Sequence, residues 1–456
     1  MGVRDYILNN MGNDARSADS AERLISFARD GSNFSNMPEL VRSLEMDRKT
    51  PKRTSMLFKV LKHTSFIFIF ALLPFYYLLT ALGFLPFFII GVFSGKDYEE
   101  SVDRESWDLL FQYWSKYPNS FIIKAIEAFY FRSESVDSPS LEIGVYRGNT
   151  SRAVFHKKSL NAGMEFVPKH LFNYASGVSF AHERLLSGDI YDIPFENNTF
   201  SSVFVIHSFD DIQRGIEGAL NECSRVILPG GKLVFSTYSG YFGKHNFLLR
   251  LLEFLRLRKL EGLFFRSIYI GTNNIFDKSK WCSLLEGNGF NVERFIYFIP
   301  MSAAMLIDIP FRLEGYLMNL FSFHDAFFIF TRKYSAPLFK KMLMKTLRGV
   351  WFVSQRNKNY EKSGINIFVV ARKKNDFGSN SGQREVKFDF DNSLICPVCK
   401  AEVMASSDEA ETLSGSIVGT IVCKGCKKNY VSVSKIPILL KTASFCWKDK
   451  QMIEFS

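Results

Sequence analysis

Four cysteines are spaced to hold a metal ion. Cys396 and Cys399 form one C-x-x-C pair, and Cys423 and Cys426 form a second after 23 intervening residues. Two such knuckles bring four thiolates to one tetrahedral centre, which suits Zn2+. Four protein ligands leave no open position, so such a site would be structural. Cys223, Cys282 and Cys446 stand alone. That is the pattern of a metal site in a reducing compartment rather than of a disulfide-stapled secreted domain.

A second set of residues lies nearer the middle of the chain. Leu141-Glu142-Ile143 reads as a short strand, and Gly144-Val145-Tyr146-Arg147-Gly148 as a Gly-bearing turn opening a helix. Such a turn lets backbone approach a ligand closely. Glu165 ends the next strand signal, 21 residues after Gly144. An acid at that place can accept bonds from both hydroxyls of a ribose. Ser187-Gly188-Asp189-Ile190, with Ile193-Pro194-Phe195 after it, follows. A fourth strand then ends at His207, just before Asp210 and Asp211. His207 is a candidate base, with a satisfied or shape-filling histidine the favoured reading; His245 and Tyr238 are weaker candidates.

These residues need a scaffold. From Ser140 to Lys373 strand and helix signals alternate, which predicts an α/β sheet with helices on both faces. The stretch Arg225-Val226-Ile227-Leu228-Pro229-Gly230-Gly231-Lys232-Leu233-Val234 predicts a helix, a tight turn and a fifth strand.

In this order and spacing the motifs resemble the class I methyltransferases that use S-adenosylmethionine (SAM), in particular the small-molecule and quinone C-methyltransferase branch. The resemblance covers about residues 138–300 and 363–373. It implies a Rossmann-like, doubly wound, seven-stranded sheet in a domain over 105–373. It also implies SAM as cofactor. Gly144 and Gly148 would flank its methionine part, with Glu142 shaping that loop. Glu165 would take the ribose diol, and Asp189 with Ile190 would meet the adenine. Two departures stand out: Tyr146 replaces the usual middle Gly, and Ser201 an Asp.

Residues 1–63 are polar and read as a mobile N-terminal region, with a short helix signal near Ser20–Arg29 and no secretory signal. Tyr6 stands where a myristoylation signal wants Ser or Thr. From Thr64 to Gly95 no residue is charged, which predicts a membrane segment. Residues 41–63 carry seven Lys/Arg and two Asp/Glu, and residues 96–110 two and six. A single span would then put the rest of the chain outside the cytosol. Pro74 and Pro86 favour instead a re-entrant hairpin with both flanks and the catalytic domain cytosolic.

Two insertions, 239–270 and 298–362, decorate the domain. Residues 332–362 hold nine Lys/Arg and one Glu among Leu, Met, Phe and Trp. Such a helix suits a headgroup plane, RNA, or a lid over the site. The formal net charge of +11 and the 47 Phe fit a membrane lipid surface and a greasy ligand, and the charge fits nucleic acid as well.

A linker over 374–390 leads to a predicted zinc ribbon over 391–442. It resembles the small zinc-ribbon activators of tRNA and protein methyltransferases, which implies that it packs on its own methyltransferase domain. The expected acceptor is lipophilic or lipid-linked. The alternatives are a tRNA, rRNA or protein methyltransferase, or a membrane scaffold without catalysis. Ile206-His207-Ser208-Phe209 lacks the Asn-Pro-Pro-Tyr usual for methylation of planar nitrogens.

Overall fold

The computed structural model describes residues 82–94, most of 106–242, 253–256, 274–306, 336–357, 363–375 and most of 388–454. The polar N-terminal region, residues 64–81, most of the 239–270 insertion and most of the linker lie outside the described residues.

In chain order the elements are α1 (82–93), α2 (Pro118–Arg132), β1 (Ser140–Ile143), α3 (Asn149–Phe155), β2 (Leu160–Glu165) and β3 (His182–Gly188). Then come β4 (Phe200–Ile206), α4 (Ile216–Val226), β5 (Ile227–Tyr238), α5 (Lys278–Gly287), β6 (Phe290–Phe298), α6 (Ala336–Asn357) and β7 (Asn366–Lys373). The C-terminal part adds β8 (Val403–Glu411), β9 (Ile417–Cys423), β10 (Asn429–Val433) and β11 (Ile436–Leu439), and a separate hairpin of β12 (Phe445–Lys448) and β13 (Gln451–Glu454).

The main sheet has eleven strands in the order β6-β7-β5-β4-β1-β2-β3-β11-β10-β9-β8. Seven come from the region expected to form a seven-stranded sheet. The remaining four belong to the cysteine-bearing segment, which continues the same sheet. The joint is β11 on β3, parallel, with Ile438 opposite Ser187 and Leu439 opposite Gly188. Pairing there removes a bare edge from β3.

The alternation along each strand builds two cores. Leu141, Ile143, Val203, Val205, Leu233 and Phe235 face one side, with α4 and Trp281 of α5. Phe204, Ile206, Val234, Phe368 and Val370 face the other, with α1, α2 and α6. Period-2 patterning sorts neighbouring residues to opposite faces, so the sheet is covered on both. Helix α4 shows the matching helical period: Ile216, Ala219, Leu220, Cys223 and Val226 are buried. It passes straight into β5. Pro229-Gly230-Gly231 falls inside that strand, where Ile227 pairs with Phe200 and Lys232 with Ser202, so the expected turn is a bulge. Gly230 there has φ of 76°, a conformation open to glycine.

Two expectations require correction. Residues 82–93 of the predicted membrane segment form a short helix with Phe84 and Phe87 in the protein core, and among the described residues no helix is long and apolar enough to cross a membrane. The basic stretch at 332–362 contributes α6, whose Leu343, Leu347, Val350 and Trp351 are buried in that same core. Its apolar stripe packs on protein and is not free for lipid.

Candidate functional site

The carboxyl ends of β1, β2, β3 and β4 place the candidate residues along one edge. In a parallel sheet this is where ligands bind, because the loops that leave there diverge. After β1 the backbone turns three times into the left-handed region, at Gly144 (φ 81°), Tyr146 (51°) and Gly148 (67°). A Cβ at Gly144 would fall 1.9 Å from Ser208 Oγ, so no larger residue fits without displacing the β4 loop. The Gly148 N–H donates to Val145 O (2.9 Å), closing the turn, and α3 begins at Asn149.

Glu165 ends β2 with both carboxylate oxygens held. Oε2 accepts the Tyr146 N–H (2.7 Å) and Oε1 the Val167 N–H (3.0 Å). His170 Nδ1 lies 3.5 Å from Oε1, and the His170 ring meets Tyr146 edge to face at 4.3 Å between centroids. The carboxylate is fixed in position beside the glycine turn, with lone pairs left for a diol.

Asp189, after β3, is buried and accepts the Tyr191 N–H (3.0 Å). Burial pushes its carboxyl above the ordinary carboxylate range, opposed by that N–H and by Arg214. Ile190 beside it is buried in the core.

Glu142 lies beneath the loop that it is expected to shape. It is buried; one oxygen accepts the Ser151 hydroxyl (2.9 Å) and the other lies 2.8 Å from His182 Nε2. It ties β1 to α3 and β3 from beneath the loop.

His207 sits at the end of β4 in a left-handed conformation (φ 48°). Nδ1 is 3.5 Å from Asp210 Oδ1, and Nε2 is 3.2 Å from Glu127 Oε1 and 2.8 Å from the Asn366 amide. Glu127, on α2, also accepts Ser236 Oγ–H (2.5 Å) and Lys124 Nζ (2.7 Å). The imidazole is a bridge between two carboxylates, and to act as a base it would have to leave one of them. Burial alone would raise Asp210, but His207 and the Thr237 hydroxyl outweigh it and hold Asp210 below its ordinary value. Asp211 goes the other way, pushed well up by burial and by the Asp210 charge.

The four cysteine sulfurs lie within 4.8 Å of one another. Both knuckles have the same build. Cys396 N–H donates to Ala401 O (2.7 Å) and Cys423 N–H to Lys428 O (2.9 Å). The residue after each second cysteine, Lys400 and Lys427, is left-handed (φ 61° and 59°). Gly425 has room for no side chain, since its Cβ would meet Ala401 Cβ at 2.8 Å. The Ala401 N–H and the neighbouring Cys423 thiol pull the Cys399 thiol down to about 6. Four sulfurs so gathered are a donor set for a tetrahedral soft cation.

This unit braces the loop after β3. Lys441 Nζ bonds Asp192 Oδ1, Lys400 Nζ lies 3.6 Å from the same oxygen, and Ile395 N–H donates to Pro194 O (3.1 Å). Ile436 packs with Val145, Leu171 and Leu185.

Residues 141–235 match the family model described as a methyltransferase domain. Residues 141–235 thus carry a methyltransferase domain. No curated protein matches the chain in sequence. Among solved structures, the domain is similar to the complex of the Trm112 methyltransferase activator and its methyltransferase from Haloferax volcanii. There the identity is 15%, the TM-score 0.34, and 60% of this chain and 95% of that one are covered. It is also similar to an S-adenosylmethionine-dependent methyltransferase from Mesorhizobium loti. The identity is 13%, the TM-score 0.32, and 55% and 97% of the two chains are covered.

Reading the sequence alone missed Glu127, His170, His182 and Lys441. Only Glu127 carried a signal: with Lys124 it is one of two charges in the apolar run Phe121–Phe131.

Proposed function

We propose that this chain transfers the SAM methyl group, at a membrane, to a lipophilic or lipid-linked acceptor, and that a Zn2+ ion held by Cys396, Cys399, Cys423 and Cys426 is structural. The observation that carries the cofactor reading is Glu165, with both oxygens fixed by backbone N–H groups beside the Gly144–Gly148 turn. When bound, SAM supplies an electrophilic methyl: an acceptor lone pair bonds the carbon as its bond to sulfur breaks, leaving S-adenosylhomocysteine.

The chain's own residues then bind and align. Gly144 and Gly148 let backbone approach the methionine part, Glu165 takes the ribose hydroxyls, and Asp189 with Ile190 meets the adenine. Alignment is the main source of rate in such a displacement. An acceptor with a free lone pair and no proton to lose needs no base. A hydroxyl acceptor would give its proton to His207, oriented by Asp210. The membrane placement, with the domain on the cytosolic side, is supported by the uncharged run Thr64–Gly95 and the net charge of +11.

The test is incubation of the full-length chain with methyl-labelled SAM and either a membrane lipid extract or total RNA. Label entering the organic phase is the expected result. Label entering RNA alone would replace this acceptor class with nucleic acid.

A further inference from the structure

Helix α1 is clamped to α6 in one rotation. A Cβ at Gly91 would fall 1.8 Å from Lys345 O, and one at Gly349 would fall 1.8 Å from Phe87 O. The two helices therefore cross with backbone against backbone, each glycine receiving the other chain segment. Phe84 and Phe87 point into the core shared with Leu343, Leu347 and Trp351.

That fixed rotation leaves the opposite face outward. Leu82, Leu85, Ile89, Val92 and Phe93 are 56%, 49%, 48%, 46% and 84% exposed. Their spacing puts them on one stripe of the helix. Residues 82–93 contain no charged side chain. A continuous apolar stripe of this kind on a protein surface marks an interaction site.

Its composition and setting choose the occupant. The five side chains offer no hydrogen-bonding atom, whereas protein interfaces mix apolar cores with polar partners. The helix is the end of the 32-residue uncharged run Thr64–Gly95, and that run is preceded by seven Lys/Arg in residues 41–63, a charge suited to anionic headgroups. At 1.5 Å per residue the helix is about 18 Å long, against about 30 Å of hydrocarbon. With one face already on protein, the described residues 82–93 suit the interface plane and are too short to span by themselves.

We propose that the Leu82–Phe93 face docks the methyltransferase domain in the plane of a lipid bilayer, with its five apolar side chains among the acyl chains. The proposal rests on the membrane placement given above and is independent of the cofactor reading.

The test uses the full-length chain with an environment-sensitive fluorescent amino acid at position 93, or at exposed Glu286 on the opposite side of the sheet as a control. Vesicles are phosphatidylcholine and phosphatidylserine, with and without brominated acyl chains. The expected result is a blue shift and bromine quenching at 93 and neither at 286. The double variant Ile89→Ser/Phe93→Ser should lower vesicle partitioning about tenfold or more, with SAM affinity unchanged. Unchanged emission at 93 in vesicle-bound protein, or partitioning of the double variant equal to that of the parent, would overturn the proposal. A blue shift that grows with protein concentration in the absence of vesicles would also overturn it, because a second copy would then cover the face. Insertion at 93 without SAM binding would leave docking standing and remove the cofactor reading.

Discussion

The Lys441 ammonium bonds the Asp192 carboxylate across 249 residues of sequence. Lys441 lies just beyond the strand that joins the cysteine-bearing unit to β3. Asp192 lies three residues after Asp189, in the loop expected to meet the adenine. The C-terminal unit is thereby braced against the loop proposed to meet the adenine.

Lys441→Ala should weaken SAM binding about two- to fivefold, because a half-exposed ion pair contributes at most about 1 kcal/mol. The melting temperature should hardly move. Calorimetric titration beside a thermal melt separates the two effects. An unchanged affinity would show that the loop holds its shape alone.

Metal removal should act on the whole domain. Cys396 and Cys423 belong to the same buried cluster as Leu141, Val203 and Phe235. Chelation, or Cys423→Ser, should therefore lower the melting temperature by about 5 °C or more, in one transition, since several kcal/mol of bound-ion stabilisation are lost. One zinc per chain by atomic absorption is the companion result. Two separate transitions would mean that the cysteine unit melts independently.

Asp211→Asn should stabilise the protein in a pH-dependent way. The folded-state pKa of Asp211 lies above its unfolded value, near 3.9. Its favourable contribution is complete below that unfolded value and is lost as pH rises through the folded pKa. The Asn variant should melt like the parent near pH 4 and about 2–4 °C higher at pH 8. A gain that shrinks with rising pH would contradict this.

Glu127→Ala should destabilise by about 3 kcal/mol, because it leaves Ser236, Lys124 and His207 without their shared buried acceptor. Glu127→Gln keeps an acceptor and should recover about half of that. Chemical denaturation of the three proteins measures it. Equal stability of Ala and Gln would show that the carboxamide accepts nothing there.

What the sequence made legible was set by local backbone demands. Gly144 and Gly148 read as a ligand turn because both need positive φ, and Glu165 because a strand end twenty-odd residues on must lie beside that turn. The cysteine knuckles declared themselves by spacing. His182 did not, since a histidine opening a strand gives no sign of the buried Glu142 carboxylate forty residues away. Helix α6 misled because a core-facing apolar stripe looks, as sequence, like a surface meant for lipid, and residues 82–93 misled only as to spanning, since one of their two apolar faces packs on α6.

The most direct test is calorimetric titration of SAM into the detergent-solubilised full-length protein, beside Gly144→Arg and Glu165→Ala. Micromolar binding by the parent, abolished by Gly144→Arg and weakened about tenfold or more by Glu165→Ala, is the predicted result. Failure of the folded, zinc-loaded parent to bind SAM would contradict the account and leave a scaffold that keeps the fold without the chemistry.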